Sequence, residues 1–199
     1  MVPSKKPVEK KKGLSKWEKA GIPFIILIVA WVIYSAAQPS VSIHSQTTTS
    51  MTSVSGGSYA PDFTLPVVGP NGPTGGTVAL SSLRGKVVLL EFMEPWCPHC
   101  QSMAPVLAEL QSNLVNVTFV SVAGPWNGAN QNDVANFQRQ YGSDWLYLWD
   151  SSGTIMSMYG VNETPTIFII NRNGAVVTSM QGDQDYATLK SVLVQSMQS

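Results

Sequence analysis

Two cysteines, Cys97 and Cys100, constrain this chain of 199 residues more than any other feature, because they are its only cysteines and just two residues separate them. The segment before them, residues 86–93, is mostly apolar and is typical of a strand buried on both faces of a sheet. Apolar residues at helical spacing follow, so the pair is predicted to lie at a strand-to-helix turn. Thiols at this spacing can close a disulfide and reopen it by thiol exchange, in which one thiolate attacks a partner and the other resolves the mixed disulfide.

A structural disulfide and a metal site are the other roles open to such a pair. A crosslink stabilises a fold more when it closes a long loop, and this loop is among the shortest possible. A zinc site needs about four ligands, but the only histidines are His44, in a low-complexity segment, and His99, between the two thiols. Redox exchange is therefore the favoured interpretation, and no metal site is predicted.

The first 37 residues predict a membrane anchor. Residues 1–19 form a basic tail with seven lysines and two glutamates, a net charge of +5, whereas residues 20–37 carry no charge. A helix of 18 residues rises about 27 Å, close to the thickness of the hydrocarbon core. The lysine excess predicts a cytoplasmic N-terminus, a single pass through the cell membrane and an extracytoplasmic C-terminal domain. Cleavage after the small residues 35–37 is the alternative, but the long polar lead favours an uncleaved segment.

The remainder divides into a linker and one domain. Residues 38–58 are rich in Ser and Thr and lack periodicity, which predicts a flexible tether. Residues 59–199 are predicted to form the folded domain. Residues 20–199 carry five basic and ten acidic side chains, a net charge of −5, and no Lys/Arg cluster, so nucleic acid is not expected as a partner.

The domain alternates predicted strands and helices. Strands are predicted over 77–80, 86–93, 117–122, 145–149, 166–170 and 175–180, and helices over 98–114, 132–141, 154–159 and 187–198. The insert 171–174, Asn-Arg-Asn-Gly, indicates that the last two strands form an antiparallel hairpin. This order predicts an α/β fold with a mixed central sheet and helices on both faces.

Several motifs in this order resemble known families. Trp96-Cys97-Pro98-His99-Cys100 at a strand-to-helix turn, with Thr164-Pro165 before a hairpin, resembles the thioredoxin fold, a three-layer α/β sandwich. The segments 60–65 and 83–90 are similar to the membrane-tethered TlpA/ResA-type branch, and Cys-Pro-His-Cys is the active-site tetrapeptide of the disulfide-donating family typified by DsbA. The resemblance covers residues 59–199 and implies a thiol–disulfide oxidoreductase acting on protein substrates. An upstream membrane redox partner is expected, and no cofactor beyond the redox-active disulfide Cys97–Cys100.

The two cysteines are expected to have different roles. Cys97 precedes a helix, where backbone N–H groups and the helix dipole favour the thiolate, so it is the predicted nucleophile. Cys100, one turn into the helix, is the predicted resolving thiol. Glu91 occupies the position at which thioredoxins and their relatives place a buried acid; desolvation there should raise its pKa and make it a proton acceptor for Cys100. Glu94, in the loop, is expected to be solvated.

Other residues are expected to modulate the site or bind substrate. By resemblance, Pro165 is a cis-proline facing the cysteines, and Thr164 presents its backbone to an extended substrate segment. Trp96 would shield the disulfide and offer an apolar surface to partners. Pro98 lies between the cysteines, and a cationic His99 would further stabilise the Cys97 thiolate and make the disulfide more oxidising.

The direction of exchange and two other functions stay open. His99 favours disulfide donation, whereas the branch resemblance favours reduction; reduction is slightly preferred because no inserted helical domain is evident. Residues 101–104 lack the acid that ResA-type proteins often carry there, which weakens a role in cytochrome c maturation. The alternatives are a thiol peroxidase and a copper chaperone or oxidase assembly factor. Asn116 and Asn162 begin formal glycosylation motifs.

Overall fold

The computed structural model describes residues 56–198, which contain a seven-stranded sheet and four α-helices. The strands are β1 (Thr64–Gly69), β2 (Gly72–Ala79), β3 (Val87–Met93), β4 (Val117–Ala123), β5 (Leu146–Trp149), β6 (Thr166–Ile170) and β7 (Val176–Gln181). The helices are α1 (Pro98–Asn113), α2 (Gln131–Tyr141), α3 (Thr154–Met158) and α4 (Tyr186–Ser196). Short 3-10 turns lie at Leu80–Leu83 and Trp126–Gly128.

The sheet is mixed, with the strand order β2-β1-β5-β4-β3-β6-β7. Strands β3, β4 and β5 are parallel to one another. β1 pairs antiparallel with β2 and β5, and β6 pairs antiparallel with β3 and β7. The central strand β3 is buried along its whole length, as expected for an apolar strand covered on both sides. The carboxyl end of β3 leads directly to the cysteine pair, so the site lies at the carboxyl ends of the parallel strands.

Side chains of β3 alternate between two hydrophobic cores. Val87, Leu89 and Met93 belong to the core that α1, α2 and α4 cover. Residues on the opposite face, such as Leu90 and Phe92, pack with the short helix α3 and the segment before β1. The predicted mixed sheet with helices on both faces is therefore confirmed, but the two layers are unequal: three long helices on one side and a single short one on the other.

The predicted hairpin is also present. Strands β6 and β7 pair antiparallel, and the turn between them is held by the Asn171 side chain, which accepts hydrogen bonds from the backbone N–H groups of Asn173 and Ala175 at 3.0 Å each. Gly174 has a φ of 84° at the end of this turn, a conformation that favours glycine. The turn chemistry read from the sequence thus sets the register of the last two strands.

The strands β1 and β2 at one edge of the sheet differ from the prediction. β1 was not predicted, because Pro66 and Gly69 interrupt its apolar residues. β2 begins at Gly72, five residues before the predicted strand, because its glycine-rich first half pairs with β1 at the sheet edge as an exposed hairpin arm. Glycine has no side chain and so gives no alternation of apolar and polar residues. The first half of β2 is therefore recognised as a strand only from its pairing with β1.

The N-terminal predictions fall mostly outside the described residues. This applies to the tail (1–19), the anchor (20–37) and nearly all of the linker. The linker was predicted to end at residue 58, but the backbone N–H of Gly57 donates to the Val176 carbonyl (2.7 Å), and the Ser58 carbonyl accepts from the Val176 N–H (2.8 Å). Contacts with the domain therefore begin at or before residue 57. Among residues 56–198, no helix combines the length and the apolar character needed to cross a bilayer.

Candidate active site

The cysteine pair lies where β3 gives way to α1. Cys97 is the N-cap of α1, and Pro98 is its first residue, where a missing N–H costs no helical hydrogen bond. The loop is closed by the Cys97 N–H, which donates to the Glu94 carbonyl at 3.0 Å. Both thiols are free and buried, with 5% of Cys97 and 1% of Cys100 exposed. The pair therefore differs in position: one sulfur at the helix N-terminus, the other beneath it.

The Cys97 sulfur contacts the loop that carries the second predicted motif. Its Sγ donates a hydrogen bond to the Thr164 carbonyl at 3.3 Å, and the Thr164–Pro165 peptide bond is cis. The Pro165 carbonyl in turn accepts from the Gly182 N–H at 2.8 Å. This places Cys97, Thr164 and Pro165 together, although 67 residues separate Cys97 from Thr164.

Glu91 is buried beside Cys100. It lies on the β3 face that α1 covers, between Ser121 on β4 and Ile167 on β6. The Ser121 hydroxyl donates to Glu91 Oε2 at 2.5 Å and accepts from the Trp145 indole N–H at 2.9 Å. Burial raises the pKa of Glu91 to about 7, against the lowering effect of the Ser121 hydrogen bond.

Burial and a neighbouring charge act together on the second thiol. Burial raises the pKa of Cys100 far above its usual value, and the negative charge of Glu91 raises it further. Cys100 thus stays protonated near neutral pH until a base accepts its proton. Glu91 is the acid–base group that acts on it electrostatically and itself titrates near neutrality, so the pair can exchange a proton.

Glu94 differs from its prediction. The sequence indicated a solvated loop residue, but none of its side chain is exposed. Its Oε1 accepts from the Gly124 N–H at 3.0 Å, whereas Oε2 has no hydrogen-bond partner among the described residues. Burial raises its pKa to about 8, despite nearby N–H groups that lower it. The prediction was wrong because the Gly124–Gly128 loop covers this end of the sheet.

Glu94 and Glu91 lie on opposite faces of the sheet. A Cβ atom built on Gly124 would lie 3.6 Å from Glu94 Oε1 and 2.8 Å from the sulfur of Met156, a residue of the core under α3. Glu91 belongs to the face under α1. The two acids are therefore close in the chain but separated by a layer of backbone.

Trp96 and His99 each connect the site to another loop. The Trp96 indole N–H donates to the Trp126 carbonyl at 3.0 Å, and 44% of Trp96 remains exposed beside Cys97. His99 Nδ1 lies 2.9 Å from Asp183 Oδ2, in the loop after β7. Both side chains of this pair are largely exposed.

Sequence reasoning missed four residues that surround the site. Ser121 sits in an apolar strand, where alternation places it on the Glu91 face, and this pattern could have identified it. Trp145, Gly124 and Asp183 come from distant segments, and no local signal links them to the cysteines.

Both formal glycosylation motifs begin at exposed residues. Asn116 is in the turn between α1 and β4. Asn162 is near Thr164, and its Oδ1 accepts a hydrogen bond from the Gln181 amide at 3.3 Å.

Comparisons with known proteins identify the family of this chain and several relatives. The AhpC/TSA family profile matches residues 57–179. The thiol-disulfide oxidoreductase ResA of Bacillus subtilis (strain 168) is 33% identical over 134 residues, which cover 65% of this chain and 69% of ResA. Tryparedoxin of Trypanosoma brucei brucei is 38% identical over 109 residues, covering 51% of this chain and 73% of tryparedoxin.

A solved structure extends the likeness to three dimensions. A secreted disulfide oxidoreductase of Mycobacterium tuberculosis, homologous to DsbE of E. coli, superposes with a TM-score of 0.58 and 26% sequence identity. The match covers 67% of this chain and 95% of that chain.

Proposed function

This chain belongs to the AhpC/TSA family and is a thiol–disulfide oxidoreductase of the ResA/DsbE type, and from that premise we propose that it reduces disulfides of protein substrates outside the cytoplasm while tethered to the cell membrane. The observation that carries the proposal is the asymmetry of the two thiols. Cys97 lies at a helix N-terminus against the cis-proline loop, and Cys100 lies beneath it beside a buried acid. Each thiol is thus suited to a different step.

The first step is attack by Cys97. Cys97, at the N-terminus of α1, attacks one sulfur of the substrate disulfide as the thiolate. A bond forms between Cys97 and the substrate, and the other substrate sulfur leaves as a thiolate that takes up a proton. Thr164, whose carbonyl already contacts Cys97, lies where the substrate backbone would run.

The second step is resolution by Cys100. Glu91 accepts the Cys100 proton, and the resulting thiolate attacks the Cys97 sulfur of the mixed disulfide. The Cys97–Cys100 disulfide forms, and the substrate leaves with its second reduced sulfur. In total the enzyme dithiol gives up two electrons and two protons, and the substrate disulfide gains them.

The direction of exchange and the location are proposals that the sequence supports. The ResA-type relationship favours reduction, and the basic tail followed by an uncharged 18-residue segment favours a single-pass anchor with the catalytic domain outside. A reductase there needs an upstream membrane redox partner to restore its dithiol. No cofactor beyond the cysteine pair is proposed, and residues 101–104 lack the acid that would support a cytochrome c maturation role.

Trapping experiments test the proposal. Cys100→Ser should accumulate mixed disulfides through Cys97 in membranes of the host, whereas Cys97→Ser, the matched control, should accumulate none. Equal yields from both variants would contradict the assigned roles. Reduction of a disulfide-bonded test protein by the wild-type dithiol should be lost in each variant.

The alternatives predict other results. A thiol peroxidase would consume hydrogen peroxide at a rate that depends on Cys97 and not on a protein disulfide. A copper chaperone would bind Cu(I) tightly through the cysteines without turnover of dithiol substrates. Within residues 56–198, no group of three or more His, Cys, Asp or Glu side chains is arranged to hold a metal ion, and neither alternative has a specific observation in its favour.

A further inference from the structure

We propose that Asp183 makes the cysteine pair less oxidising by pairing with the cationic form of His99, an inference that rests on the proposed function. His99 belongs to the Cys-Pro-His-Cys tetrapeptide and is two residues from Cys97. A cation there stabilises the Cys97 thiolate, hence the reduced form, and so makes the disulfide a stronger oxidant. Asp183 is therefore a positioning residue, which acts on the thiol through another side chain.

The contact with Asp183 is specific. His99 Nδ1 and Asp183 Oδ2 are 2.9 Å apart, and this is the single salt bridge among residues 56–198. Residues 20–199 contain five Lys or Arg side chains and ten acidic ones. The one ion pair in the described range nevertheless joins His99 and Asp183, at the active site. Asp183 makes no other side-chain hydrogen bond in that range, whereas its neighbour Asp185 is engaged as the N-cap of α4 by Thr188.

The backbone places Asp183 for this role. Gly182, immediately before it, donates its N–H to the Pro165 carbonyl at 2.8 Å. The N–H of Gln184, immediately after it, lies 3.2 Å from the sulfur of Met103 on α1. The loop is thus fixed on both sides of Asp183, against the cis-proline loop and against the active-site helix, and the carboxylate is held over the first turn of α1.

The chemical consequence concerns the direction of exchange. With Asp183 present, the charge of a cationic His99 is offset by the neighbouring carboxylate, so the Cys97 thiolate gains little from it. Without Asp183, a cationic His99 would favour the dithiol form, and the protein would become more oxidising. The carboxylate thereby makes the tetrapeptide less oxidising than it would be with an unpaired His99.

The experiment is a redox titration of a mutant cycle at pH 6.0, where free imidazole is largely cationic. The protein is equilibrated with reduced and oxidised glutathione. In this exchange the glutathione disulfide bond breaks, the Cys97–Cys100 bond forms, and two electrons and two protons pass from the protein to two glutathione molecules. Asp183→Asn should shift the equilibrium constant about two- to fivefold toward the dithiol, the size of an exposed charge pair.

The cycle separates this role from a general charge effect. His99→Asn should abolish most of the shift in the Asp183→Asn background and change the equilibrium less than twofold when Asp183 is present. Glu163→Gln, the matched control, removes an exposed acid beside Thr164 that does not contact His99; its effect should be the same with or without His99.

Two results would overturn the inference: an Asp183→Asn shift below 1.5-fold, about 5 mV at 29.6 mV per tenfold change, or a shift that persists unchanged after His99→Asn. Both side chains are exposed, so the variants should fold, and circular dichroism verifies this. If the wild-type cysteines showed no measurable dithiol–disulfide equilibrium with glutathione, the proposed function itself would fail, a result distinct from either of these.

Discussion

Replacing Glu94 by glutamine should make the stability of the protein much less dependent on pH. Glu94 is fully buried, and folding raises its pKa from 4.5 to about 8. Between these values the native state holds a proton that the unfolded chain releases. The stabilisation associated with this proton is therefore complete below pH 4.5 and is lost progressively as the pH rises to about 8.

The size of the effect follows from the two pKa values. With 1.36 kcal/mol for each tenfold change in proton activity, ionisation of Glu94 should lower the free energy of unfolding by less than about 1 kcal/mol at pH 5, about 3 kcal/mol at pH 7 and about 5 kcal/mol at pH 9. Glutamine keeps the oxygen that accepts from Gly124 and cannot ionise. Glu94→Gln should therefore match the wild type within about 1 kcal/mol at pH 5 and exceed it by about 4 kcal/mol at pH 9.

Urea unfolding of the reduced protein, followed by circular dichroism at pH 5, 7 and 9, measures this difference. Glu109→Gln is the matched control, because Glu109 is an exposed glutamate on α1; its stability should follow that of the wild type at every pH. Parallel pH profiles for Glu94→Gln and the wild type would refute the reasoning, since they would mean that Glu94 ionises in the folded protein without cost.

Three further substitutions test the neighbouring contacts. Glu91→Gln should slow resolution of the mixed disulfide about 10- to 100-fold in rapid-mixing experiments and leave the first attack unchanged; equal resolution rates would remove Glu91 from the mechanism. Ser121→Ala removes the hydrogen bond that lowers the pKa of Glu91, so the pH midpoint of resolution should rise above about 7; an unshifted midpoint would contradict this. Gly124→Ala brings a Cβ within 2.8 Å of the Met156 sulfur and should cost about 1–3 kcal/mol in urea unfolding, whereas wild-type stability would mean that Met156 moves aside.

Most of the fold could be predicted because its central elements carry strong patterns. The apolar runs of β3 and β4 and the hairpin turn at 171–174 are local signals, and each corresponds to an observed element within one or two residues. Strand β1 carries Pro66 and Gly69, and the first half of β2 is glycine-rich. These edge strands exist because they pair with each other, which is a tertiary effect that no single segment reveals.

The part of the site that depends on residues adjacent in the chain could be predicted from the sequence. The apolar strand before the cysteines and the helical spacing of apolar residues after them placed the pair at the start of a helix, and the apolar surroundings of Glu91 indicated a buried acid with a raised pKa, as observed. Glu94 could not be placed in this way, because its burial depends on the loop after β4. The pairing of His99 with Asp183 joins residues 84 positions apart and likewise depends on the completed fold.

The position of the central sheet between Glu91 and Glu94 has a consequence for how such a protein can change. One acid is proposed to accept a proton on the side of the sheet covered by three helices, and the other holds the loop after β4 on the side covered by one short helix. The backbone of the sheet separates the two carboxyl groups, so a mutation that changes the pKa of one need not change the pKa of the other. Residues only three apart in the chain can thus be optimised as independently as if they belonged to separate modules.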